Sequence, residues 1–475
     1  MQRKLWGLAL AFGTSCALGQ APAPALTMPP PPPKLAIVGG TLVDLADYGR
    51  RTKDLADAVV VTDGDRIIAV GKRGEVEIPK DAEVIDAAGK YIVPGYIDGF
   101  SVQNNESQAR AHLYMGVTTV SATDNERRRG MSEPVPGGPN YARRARLFGY
   151  DVSRAGVWQN NRELRMRGRR LTPAQVRQHV ESKAWDGYEV ALAYYTLDRE
   201  QLEAAATQAR ESGLMLIGEL GATRYLDAAR AGVPFFVHAN RYLLDLAPDD
   251  IRTAAADDAF GEGALAYKRY LGTIDPEGDA VKAYGQELAK HRVALMPTFA
   301  LWAAELPNQP NPWREKVASI LDPRDVMPGM DPKGGDNPPL EQMDERRQAL
   351  AKSALRLMAI HRTLRKSGVE FVVGSGADAF GVLPGVGVHM EMALLVEIGL
   401  TPREALAAAT ANYPATVNTL EYGRVAPGAR ADVLVLAADP TRDIANAKRI
   451  DTVVLRGRAI PREALLGKPP ASPAP

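Results

Sequence analysis

Three polar residues stand where short apolar runs end. His238 closes the run in FFVHAN, Glu219 follows LMLIG, and Asp378 sits in GSGADAF after VEFVV. Such runs read as buried strands, and a polar side chain at the end of a strand is placed for chemistry. A histidine oriented by a carboxylate makes a general base. A second, buried carboxylate is driven toward its neutral form and can act as an acid. Asp378, His238 and Glu219 are therefore the candidate catalytic residues. The chain has six histidines, and the other five, His112, His179, His291, His361 and His389, lie in helical or helix-end contexts.

The elements that must position these residues follow from hydrophobic periodicity. GVTTVSAT, YEVALAYY, LMLIGEL, VPFFVHA, VALMPTFA and VEFVVGSGAD alternate with helical stretches. Strand–helix alternation of this length calls for parallel strands with crossover helices, most simply a (β/α)8 barrel. Thr172-Pro173-Ala174-Gln175 and Thr401-Pro402-Arg403-Glu404 are capping boxes with proline at the first helical position. Asp198 is placed to cap a helix running to Ser212, with Gly213 ending it. Toward both chain ends the pattern changes to β-branched strands and turns. LAIVGGTLVD and DAVVVTDGDRIIAVG near the start, and RADVLVLAAD and KRIDTVVLRGRAI near the end, are expected to share one small β-sandwich. The expected class is thus α/β: a (β/α)8 barrel over 94–420 and a composite sandwich over 34–93 and 421–461.

The chain has 475 residues, 45% hydrophobic, with a net charge of +1. That supports a large core and gives no global field favouring nucleic acid. Residues 1–19 read as a signal peptide with a basic start and a short apolar run, and 20–33 as a proline-rich linker. Export to the periplasm or medium follows; lipid anchoring through Cys16, the sole cysteine, is the lesser alternative. Without that residue the mature chain has no disulfide, thiol nucleophile or Cys-based zinc site. Residues 462–475 read as a tail. The stretch 127–170 carries twelve arginines, no lysine and three acids, which reads as a solvated face or as a contact for anionic envelope material. Glu305 to Arg346, with eight prolines, is a lid candidate.

Many motifs in order carry a resemblance: AEVIDAAGKYIVPGYIDG, MGVTTV, MPTF, GSGADA, HMEMALLVEIGLTPREALAAATANYPA and YGRVAPGARADVLVLAADP. The chain resembles the amidohydrolase superfamily, in its imidazolonepropionase and Xaa-Pro dipeptidase-like branch. The resemblance implies a distorted barrel with one or two divalent metals at its C-terminal mouth. It also implies a His-x-His pair after the first strand, and here that pair is missing: Phe100 and Val102 stand in its place. The fourth-strand lysine position falls near Ala191 and the fifth-strand histidine position on Glu219; His238 and Asp378 match their positions. The resemblance thus leaves His238, Asp378 and Glu219 as the ligands of a weak metal site, if one forms. No cofactor is the first expectation, and one weakly bound divalent metal the alternative. Phe100 and Val102 make an apolar floor, and with Asn104 they are the candidate substrate-binding residues.

The expected function is an exported amidohydrolase-like protein with a degenerate metal site. It would bind a small-molecule ligand or support an active partner, as a homo-oligomer or paired with a related amidohydrolase. The alternatives are a C–N bond hydrolase, using a weak metal or metal-free acid/base residues, and a binder of anionic envelope material.

Overall fold

The computed structural model describes residues 32–123, 135–151, 162, 164, 166, 168–259, 261–417 and 421–467. The signal peptide, most of the linker and most of the tail expected from the sequence lie outside these residues, as does much of the arginine-rich stretch.

Two sheets divide the work. In the first, β1 (Leu35–Leu42), β2 (Leu55–Asp63), β3 (Arg66–Lys72), β4 (Glu83–Asp86) and β5 (Tyr91–Pro94) come from the start of the chain. In the same sheet β14 (Val433–Leu436), β15 (Ile450–Leu455) and β16 (Arg458–Ile460) come from its end. The ends are joined by antiparallel pairing of β14 with β5, Val433 opposite Pro94 and Leu436 opposite Tyr91. Period-2 alternation sorts the side chains. Leu35, Ile37, Val60, Ile67 and Val433 pack on one side, and Ala36, Val38, Val59 and Val61 on the other.

The second sheet is the barrel. Its strands are β6 (Tyr96–Ser101), β7 (Val117–Thr123), β8 (Asn140–Leu147), β9 (Val190–Ala193), β10 (Met215–Gly218), β11 (Phe235–Val237), β12 (Ala294–Met296) and β13 (Glu370–Phe371). They lie in chain order and every neighbouring pair is parallel. The segment after β13 returns to β6: the Gly99 N–H donates to the Val373 carbonyl at 3.1 Å, and the Gly376 N–H to the Phe100 carbonyl at 2.7 Å. This is the barrel expected from the alternation, distorted as the resemblance implies. Ile97, Leu192, Ile217, Phe235, Val237, Met296 and Val372 fill its interior. Ala191, Ala193, Leu216, Phe236 and Leu295 face outward into the helical layer. Gly99 is required where it stands, because a Cβ there would lie 1.9 Å from the Tyr413 hydroxyl.

The capping boxes form as expected at Thr172 and Thr401, and Asp198 caps its helix as expected and closes a capping box with Gln201 as well. One strand departs from the expectation. Asn140–Leu147 is the third barrel strand, inside what reads in sequence as an arginine-rich excursion. Between Tyr141 and Leu147 its apolar residues are only two alanines set among three arginines, so it carries little hydrophobic signal. The proline-rich stretch 305–346 forms successive 3-10 turns, and Val317, Ala318, Leu321 and Val326 bury against Ala111 and Tyr114 of the helix Glu106–Tyr114. Its 317–326 part is thus a packed wall, whereas 327–342 is largely exposed.

Candidate functional site

A cavity of about 670 Å3 opens at the C-terminal ends of the barrel strands, and Phe100, Val102, Glu219, His238 and Asp378 all line it. Asn104 stands beside it and is turned to Asp378: its side-chain N–H donates to Asp378 Oδ2 at 2.8 Å.

His238 directly follows β11 and stands in the left-handed region, φ +68°, a conformation that costs a non-glycine residue free energy and is held by its surroundings. The backbone supplies part of that hold, since the His238 N–H donates to the Met296 carbonyl at 3.0 Å. The imidazole is oriented by Thr298 rather than by a carboxylate. Thr298 Oγ1 donates to the Pro297 carbonyl at 2.6 Å, and His238 Nδ1 lies 2.9 Å from the same oxygen. A hydroxyl has one proton, so Thr298 Oγ1 accepts from Nδ1–H. The neutral ring therefore carries its proton on Nδ1 and presents a lone pair on Nε2. Burial pushes this imidazole down to about 4; Glu219 opposes the shift, and Arg241 and Arg144 add to it.

The lone pair faces Glu219. His238 Nε2 lies 3.6 Å from Glu219 Oε1, and the Tyr195 hydroxyl donates to that same oxygen at 2.6 Å. Burial holds the Tyr195 phenol well above its ordinary range, so it stays a donor at neutral pH. Nε2 and the Glu219 carboxylate are then two acceptors side by side. A ligand N–H or O–H group, or a water, fits between them as the missing donor.

Arginine fills the opposite side. Arg144, on β8, is 2% exposed, and its guanidinium carbon lies 3.7 Å from the centre of the Phe100 ring. It donates to the Ser121 carbonyl at 3.1 Å and the Ser101 carbonyl at 3.3 Å, tying β6, β7 and β8 together. Burial, helped by Arg146, lowers its pKa to about 9, and it remains a cation at neutral pH. The Phe100 ring in turn meets His238 edge-on with centroids 4.9 Å apart.

Sequence reasoning missed Arg144, Arg146, Tyr195, Arg241, Lys268 and Trp302, all of which line the cavity. Arginines two apart in YARRARL would point to the same side of a strand, but the composition of this segment does not mark it as one. Glu189, the acid nearest the fourth-strand position, is no part of this cavity. It precedes β9 at the opposite end, where burial raises its pKa and Arg430 opposes the rise. Ala191 faces the helices, so no side chain at that position reaches the mouth.

These residues do not fit the divalent site that the resemblance implies. Two ligand positions hold Phe and Val. A fixed guanidinium lies against that Phe ring, and it repels a dication. Asp378 Oδ2 is engaged by Asn104. Among the described residues, no three His, Cys, Asp or Glu side chains converge as a metal ion requires.

Comparison with known proteins agrees with this geometry at the level of fold. Residues 339–460 match the Amidohydrolase family. Adenine deaminase 4 of Rhizobium meliloti is 36% identical over 115 residues, covering 23% of this chain and 17% of that protein. Imidazolonepropionase of Symbiobacterium thermophilum is 41% identical over 75 residues, covering 14% of this chain and 18% of that protein. The matched segments thus span less than a fifth of either relative. Among solved structures, a bottromycin amidohydrolase aligns with TM-score 0.62 and 17% identity over 91% of this chain and 88% of its own. A molinate hydrolase aligns with TM-score 0.60 and 18% identity over 94% and 99%. A Xaa-Pro dipeptidase with bound methionine aligns with TM-score 0.57 and 15% identity over 90% and 99%.

Proposed function

We propose that this chain, a member of the amidohydrolase superfamily, binds a small amide- or peptide-like molecule at its barrel mouth without a tightly held divalent metal. The observation that carries the reading is Phe100 and Val102 in the cavity floor with the Arg144 guanidinium stacked on Phe100. A ligand N–H group is received by Glu219 and His238 Nε2, and its apolar body lies against Trp302, Leu301 and Phe380. Peptide-like ligands are favoured because the aligned structures include a dipeptidase, and cyclic amides because a matched relative is an imidazolonepropionase. Export follows from the N-terminal leader, and pairing with a second copy or a related chain is compatible with the reading.

The test is thermal unfolding of the full chain with a panel of Xaa-Pro dipeptides, N-acetyl amino acids and cyclic imides, in the presence of EDTA. A raised midpoint with at least one class supports the reading. Stabilisation only when zinc replaces the chelator overturns it.

A second reading rests on the Nε2 lone pair. With His238 neutral at pH 7, Nε2 can take a proton from water as the hydroxyl joins an amide carbon. The C–N bond then breaks as the imidazolium returns that proton to the leaving nitrogen. Turnover that disappears in His238→Gln while panel binding persists would favour hydrolysis over binding alone.

A further inference from the structure

Glu391 is a fully buried acid that does not line the cavity. It stands on the helix Val386–Glu397, behind the segment that follows β12. Its Oε2 accepts the Ala300 N–H at 2.8 Å, and the Phe299 and Thr298 N–H groups act on the same carboxyl. Three successive backbone N–H groups turned to one acidic group make a nest. Its Oε1 makes no hydrogen bond. An apolar side chain of similar size would fill this space without leaving a polar atom unpaired. What the carboxyl supplies, and an apolar group cannot, is an acceptor for the turn.

That turn carries the partner of His238. Thr298 stands in the left-handed region, φ +55° and ψ +42°, which a β-branched residue adopts only under constraint. In this conformation its Oγ1 donates to the Pro297 carbonyl at 2.6 Å. With its one proton committed there, the hydroxyl accepts from His238 Nδ1–H at 2.9 Å. Two left-handed residues thus face each other across neighbouring strand ends. The Ala239 N–H ties the two segments by donating to the Pro297 carbonyl at 2.8 Å. The Leu301 N–H donates to the Thr298 carbonyl at 3.1 Å, and Leu301 and Trp302 continue from the turn into the cavity wall.

We propose that Glu391 is a positioning residue for His238. By receiving the N–H groups of the 298–300 turn it holds Thr298 left-handed, and so fixes the imidazole proton on Nδ1 and the lone pair on Nε2. The proposal rests on the use of Nε2 described above, and it is tested without ligand, so failure of the relay and failure of ligand binding are separate results.

The test reads ring-nitrogen resonances of the full chain labelled with 15N-histidine, at pH 7. The parent is expected to show His238 as the Nδ1–H tautomer alone. Glu391→Leu should give a mixture of both tautomers at His238. His112, whose Nε2 meets the Val102 carbonyl at 3.3 Å from a different helix, should keep its parent signals. Glu391→Gln retains an acceptor for the Ala300 N–H and should keep the parent pattern. Thr298→Val should give the mixture with Glu391 intact. If Glu391→Leu fails to fold, Glu391→Asp, whose carboxyl stops one methylene short of the turn, carries the same expectation. An unchanged His238 pattern in the Glu391 variant that folds overturns the proposal. So does an unchanged pattern in Thr298→Val, and so does a shift of His112 together with His238, which would mark general loosening.

Discussion

The guanidinium of Arg144 lies 3.7 Å from the centre of the Phe100 ring, at the position where the family resemblance places a metal-binding histidine. One residue on β6 and one on β8 thus replace a coordinating imidazole with a stacked cation. Restoring the motif as Phe100→His with Val102→His should therefore give little zinc affinity, because a unit cation about 4 Å from a dication costs several kcal/mol even at an effective dielectric constant of about 20. Adding Arg144→Ala to the pair should raise zinc affinity by at least about tenfold. Calorimetric zinc titration of both variants checks this; equal affinities would show that Arg144 does not control the site.

The hydrogen bond from Tyr195 to Glu219 is buried at 2.6 Å. Tyr195→Phe leaves the carboxylate without that donor and is expected to destabilise the fold by about 1–3 kcal/mol. Urea unfolding measures the loss, and an unchanged midpoint would place Glu219's support elsewhere.

Three histidines with strongly lowered pKa predict an acid limb, and His112, which burial also holds below its ordinary range, adds to it. Burial lowers the pKa of His238 and His361 to about 4 and that of His389 to about 3. Each folded-state value lies below the unfolded value of about 6.5. Their contribution to stability is therefore complete above pH 6.5 and is lost as pH falls through 4. Unfolding free energy should decline between these values, on the order of 3 kcal/mol per group if each shift is fully expressed. Histidine ring resonances should show none of the three titrating between pH 7 and 5; a midpoint near 6.5 for any of them would contradict its burial.

Glu391 predicts the alkaline limb. It accepts the Ala300 N–H at 2.8 Å and so anchors the turn Phe299–Trp302 that carries the cavity wall. Burial pushes its pKa up to about 8. A folded value above the unfolded one means that stability is greatest at low pH and is lost as pH rises through 8. Glu391→Gln should flatten the decline that this group causes between about pH 4.5 and 8, as thermal unfolding across that range would show. A decline identical to the parent's would place its cause at another group.

The legible parts of the sequence were those with a strong period. β9 to β12 read as apolar runs, and the capping boxes at Thr172 and Thr401 marked helix starts, because side-chain burial and backbone capping are local. Glu219, His238 and Asp378 could be placed at the mouth because each follows such a run. Arg144 could not, since its strand YARRARL has the composition of a solvated segment and its burial depends on Phe100 and on carbonyls of two neighbouring strands. The partner of His238 was hidden for the same reason. Thr298 is sixty residues away on the next strand's end, and no spacing rule links a threonine to an imidazole across parallel strands.

The most direct measurement is the divalent metal content of the chain, purified without chelator or affinity metal and analysed elementally. A substoichiometric content in a folded, ligand-binding sample is the result this account predicts. A stoichiometric divalent ion that is lost in His238→Ala or Asp378→Asn would contradict it, and would mean that Glu219, His238 and Asp378 converge on a metal despite the guanidinium beside them.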